Sequence, residues 1–116
     1  MNLLEHEYLV PVIIGNSKDS FKDAEAIYKA TKIKPHLFGE KFSFFQQLRY
    51  NCHVVSPFRE EFLAESLTSF ASSLEEYYCP ILVLNSEYNR FFERYLEIID
   101  STYVKVNIKE ILKFGR

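Results

Sequence analysis

An unbroken apolar run, Tyr8-Leu9-Val10-Pro11-Val12-Ile13-Ile14, stops at Gly15, passes through Asn16-Ser17-Lys18-Asp19 and enters an amphipathic segment from Ser20 to Thr31. Strand, turn and helix follow one another in that order. A strand without polar alternation is covered on both faces, which points to an α/β fold with a parallel sheet between layers of helices. Ligands of such open sheets sit in the crevice outside the carboxyl ends of the strands, so the turn at Gly15 is the first place to look for a site. Pro11 fits this strand least well, because proline gives the ladder no donor; full pairing is expected from Val12.

The rest of the chain repeats the alternation. Ser20 reads as the cap of the first helix, with Asp23 as a weak capping-box partner, and Phe21, Ala24, Ile27, Tyr28 and Thr31 form its apolar stripe. Pro35-His36-Leu37-Phe38, closed by Gly39, reads as a second strand, and Cys52-His53-Val54-Val55 as a third. Between them Phe42, Phe44, Phe45 and Leu48 read as core packing in a turn or two of helix, the other reading being an aromatic lid over one end of the sheet. Ser56-Pro57 is a helix-start signature for a long periodic segment from Arg59 to Tyr78. Cys79 to Leu84 is again continuously apolar, and Asn85 or Ser86 caps a helix with the stripe Tyr88, Phe91, Phe92, Tyr95, Leu96 and Ile99. Tyr103 to Val106 reads as an edge strand, and Asn107 with Glu110 as the capping box of a last helix. The expected fold is a small doubly wound α/β domain, Rossmann-like, with a mainly parallel sheet of five strands and helices on both faces.

Length and charge narrow the function classes. With 116 residues, 47% of them hydrophobic, the chain suits one domain over residues 1–116 with a single core, residues 1–7 forming a tail. A formal charge of -2, with both signs mixed throughout, leaves no broad basic surface for nucleic acid or anionic lipid. There is no signal peptide or membrane-length apolar run, so a cytoplasmic location is expected. Cys52 and Cys79 match no metal or redox spacing and read as buried thiols.

Chemistry has few places to sit. Gly15-Asn16-Ser17-Lys18-Asp19 and Asn85-Ser86-Glu87-Tyr88 leave the ends of the two most apolar strands and should meet at one edge of the sheet. Gly15, Asn16, Ser17, Asn85 and Ser86 are therefore the candidate substrate-binding residues, suited to a carboxylate or other anion; the competing reading makes them turn and cap residues. Neither the glycine spacing of a dinucleotide fold nor a P-loop follows Gly15. His6, His36 and His53 show no metal-ligand spacing and read as separate structural residues, and no serine or cysteine has the surroundings of a nucleophile. A phosphoacceptor receiver domain shares the layout but needs an acceptor aspartate after the third strand, where this chain has Ser56. No catalytic residue, cofactor site or metal site is expected in the chain.

Leu9-Val10-Pro11-Val12-Ile13-Ile14-Gly15 with Asn16 to Asp19, then Ala24, Ala26 and Ile27, resembles the start of ATP-grasp carboxylate-amine ligases of the carbamoyl-phosphate synthase and D-aspartate ligase-like type. Those chains open with a Rossmann-like pre-ATP-grasp domain. The likeness continues at Ile33 to Gly39, at Ile81 to Tyr88, and at Tyr103 to Asn107, which resembles the last strand before the ATP-grasp module; residues 108–116 resemble the start of the connecting helix. The family often has Gly where this chain has Lys22, a departure that argues against close backbone contact with a ligand at this loop. The resemblance implies a substrate-side and structural domain without activity of its own, with ATP and Mg2+ bound by a catalytic module expected in cis. It also implies exposed apolar surface and weak homodimer formation. The alternative is a free-standing α/β interaction or small-molecule-sensing module.

Overall fold

The computed structural model describes residues 8–85 and 102–113. In chain order these form β1 (Leu9–Ile14), α1 (Lys18–Thr31), β2 (His36–Gly39), α2 (Phe44–Arg49), β3 (Asn51–Val54), α3 (Glu60–Ser72), β4 (Cys79–Leu84), β5 (Val104–Asn107) and α4 (Ile108–Leu112). The five strands make one sheet in the order β3-β2-β1-β4-β5, every pairing parallel. This is the expected doubly wound arrangement, with β1 at its centre and the last strand at an edge.

Period-two alternation along β1 sends its side chains into two cores. Val12 and Ile14 pack with Phe38, Leu82, Tyr103 and the α3 residues Leu63, Ala64 and Leu67. Leu9 and Ile13 pack on the other side with Leu37, Ile81, Val83, Val106, the α1 residues Ala24 and Ile27, and Ile111 of α4. Helices therefore cover both faces, and the apolar strands are buried as their composition requires. Pro11 is accommodated by register: β1 meets β2 only from Val12, opposite His36, although it runs beside β4 from Leu9.

Several boundaries differ from the sequence reading. Ser17, not Ser20, caps α1: the Ser20 amide donates to Ser17 Oγ at 3.2 Å, while Ser20 itself is buried and its hydroxyl donates to the Ile14 carbonyl at 3.3 Å. Ser56 and Pro57 do not open α3, which starts at Glu60 behind Arg59 without a side-chain cap; the Ser56-Pro57 peptide is cis, and the Arg59 amide donates to the Pro57 carbonyl. The same helix ends at Ser72 and does not reach Tyr78, because the Ser72 and Ser73 hydroxyls donate back to the carbonyls of Thr68 and Phe70 in a serine-rich last turn. Asn107 and Glu110 do form the expected capping box. The expected helix over Tyr88 to Ile99, Ser86, and the tail of residues 1–7 lie outside the described residues. Among the described residues no helix is long and apolar enough to cross a membrane.

Candidate functional site at the carboxyl edge of the central strand

The turn after β1 is held by its own polar groups. Gly15 takes φ 106°, a left-handed conformation that strains any other residue, and its N–H donates to the Phe38 carbonyl at 2.7 Å. Asn16 Nδ2 donates to the Lys41 carbonyl at 2.6 Å, tying the turn to the loop after β2. Asn85, at the end of β4, sends Nδ2 to the Ile14 carbonyl at 2.9 Å, so the last carbonyl of β1 receives Asn85 as well as Ser20. Gly39 closes the arrangement from β2. A methyl group there would stand 2.9 Å from Phe42 Cζ and 3.2 Å from Asn16 Cβ, so a larger residue would push the tip of the Phe42 ring aside and crowd Asn16.

Four of the five candidate substrate-binding residues therefore meet: Gly15, Asn16, Ser17 and Asn85 surround the carboxyl end of β1, and Ser86 lies outside the described residues. The polar atoms placed here, Ser17 Oγ and the two amide nitrogens, are engaged with backbone groups of the same edge. No match to this chain emerges from comparison with protein-family models, curated proteins or solved structures.

The aromatic segment divides in two. Phe42 packs edge-on against Phe21 at 6.3 Å between ring centres and joins the α1-side core, as the core reading expects. Phe44, Phe45 and Leu48 do not, being 70%, 74% and 61% exposed on a helix that buries no residue. That helix stands on its capping box, in which Ser43 and Gln46 each accept the other's backbone N–H.

His36 and His53 are not separate, while His6 lies outside the described residues. His36 Nδ1 and His53 Nε2 lie 2.9 Å apart across β2 and β3, where the register sets Phe38 opposite His53 and His36 opposite Asn51. The His53 ring stacks on Phe38 at 4.4 Å, and Phe70 of α3 packs against both imidazoles. Burial, and then the neighbouring His53, lower the pKa of His36 to about 4; burial also lowers that of His53. Both rings are thus neutral near pH 7, one donating and the other accepting. Finding this pair from sequence required the β2–β3 register, which residue spacing alone does not supply. Among the described residues no group of three or more His, Cys, Asp or Glu is placed to hold a metal. Cys52 and Cys79 are free, half-buried thiols whose pKa burial raises, which works against a reactive thiolate.

Proposed function

We propose that this chain is a substrate-side domain of an ATP-dependent carboxylate-amine ligase of the ATP-grasp type, shaping one wall of the cleft and carrying no catalytic group itself. The observation that carries the reading is the convergence of Gly15, Asn16, Ser17 and Asn85 at the carboxyl end of β1, the strand in the middle of the sheet. A rigid edge whose polar side chains already brace the backbone suits a wall better than a reaction centre. Its single glycine at the turn does not suit a nucleotide, and among the described residues no group of three or more carboxylates gathers for Mg2+. ATP and Mg2+ chemistry belongs in this proposal to an adjoining module.

The exposed Phe44 and Leu48, four positions apart on α2, offer that module an apolar contact. Without it the same stripe supports weak pairing of two copies. The alternative, a free-standing interaction module, draws on the same exposed residues.

The test is the reading frame beyond Arg116 together with kinetics of the protein it encodes. An ATP-grasp module there, with Asn85→Ala raising KM for the carboxylate or amine about tenfold while KM for ATP stays unchanged, supports the ligase reading. A stop codon at that point, or a variant that raises KM for ATP alone, overturns it.

A further inference from the structure

A cavity of about 460 Å³ opens between α1 and α2, next to the turn at Gly15. Its charged lining is Lys18, Lys22 and Arg49 against the single carboxylate of Glu25. That carboxylate is already engaged, with Oε1 3.2 Å from Lys29 Nζ. Among the described residues Lys18, Lys22 and Arg49 enter no ion pair. Lys18 and Lys22 stand one helical turn apart, a spacing at which like charges oppose the helix that carries them. Three cations facing one cavity make an arrangement that an anion relieves.

The uncharged lining is Phe21, Phe45 and Tyr50 with the amides Asn16 and Gln46. Phe21 and Tyr50 lie 6.0 Å apart between ring centres, the Arg49 guanidinium sits 5.6 Å from the Tyr50 ring, and Phe45, next to them, is 74% exposed. Phe45 and Arg49 are four apart on α2 and so share the stripe that borders the cavity. Guanidinium and ammonium groups supply charge-assisted hydrogen bonds to phosphate or carboxylate oxygens, and an uncovered phenyl ring supplies a face for a flat apolar body.

We propose that this cavity binds a small organic anion, a phosphate or carboxylate borne on a planar ring, with Lys18, Lys22 and Arg49 taking the charge and Phe45 the ring. The site needs no adjoining module and stands independently of the ligase reading. Phenyl phosphate is the probe, and benzoate tests whether the carboxylate serves as well. Inorganic phosphate lacks the ring and benzyl alcohol lacks the charge. Titration of the whole chain, followed by calorimetry and by backbone amide shifts, should show saturable binding of a ring-bearing anion tighter than either control. The largest shifts should fall in residues 18–22 and 45–50.

Lys22→Gln and Arg49→Gln should each weaken binding about tenfold, the loss expected for one charged hydrogen bond. Phe45→Ala should bring phenyl phosphate down to the affinity of inorganic phosphate. All three side chains are exposed, so these variants keep the fold. Equal affinity for phenyl phosphate and inorganic phosphate overturns the proposal. So do shifts centred elsewhere, affinity indifferent to Lys22→Gln and Arg49→Gln, or no binding of either ring-bearing anion at millimolar concentration.

Discussion

His36 and His53 face one another through two ring nitrogens that share one proton at neutral pH, and the cost of charging them is a cost to the fold. The native state keeps His36 neutral where the unfolded chain takes up a proton, so the unfolded state binds more protons between the ordinary value of 6.5 and about 4. Stability is therefore full above that window and falls as pH falls through it. The shift corresponds to about 3 kcal/mol if fully expressed, and solvent at the half-buried ring reduces it to about 1–2 kcal/mol. Urea unfolding of the wild type across the window should show this loss, and His36→Phe, which keeps a ring against Phe70, should flatten it. An unchanged slope in the variant would refute the assignment. A first proton still leaves one donor and one acceptor; a second sets two donors against each other. At this scale the sequence was legible where chemistry is local, as at Gly15, and illegible where two residues meet only through strand register.

Short elements stand or fall on their ends. α2 buries no side chain, and the reciprocal bonds of Ser43 and Gln46 are its main support. Ser43→Ala should cost that helix about 1 kcal/mol. The loss should appear as faster amide exchange at Gln47 and Tyr50, whose N–H groups donate to the Ser43 and Gln46 carbonyls, with the global unfolding midpoint almost unmoved. A fall in the global midpoint instead would show that α2 is integral to the core. The Ser-x-x-Gln signature is present in the sequence, but the four aromatic and aliphatic residues around it have the composition of a buried stripe, although only Phe42 joins a core. Helix starts proved hard for a related reason: Ser17 and Ser20 have the same capping chemistry, and only the burial of Ser20 against Ile14 decides between them. The apolar strands, which have no such competitor, were legible throughout.

Among the described residues two cores lie one on each side of the sheet, and they should unfold together. Ile27→Ala on the α1 side and Leu67→Ala on the α3 side each remove a fully buried branched side chain, at about 2–5 kcal/mol apiece. Separated by the sheet, their effects should add to within about 0.5 kcal/mol in one transition monitored by circular dichroism and by fluorescence. Two separate transitions would mean that the layers are independent. The meeting of Asn85 with the Gly15 turn was legible because both follow the most apolar strands. The cavity between α1 and α2 was not, since it exists only once Arg49 and Phe45 are set opposite Lys18 and Lys22.

β1 pairs with β2, its near neighbour in sequence, and with β4, so that Asn85 reaches a carbonyl 71 positions away. Closing so long a loop is the slow part of forming such a sheet. On the ribosome, β1, β2 and β3 emerge with α1 and α2 while the inner edge of β1 still has no partner. Until Cys79 to Leu82 arrive, Leu9 to Val12 present an apolar strand edge to anything nearby. The seam that centres the finished sheet is thus, during synthesis, the place where a chaperone has most to protect.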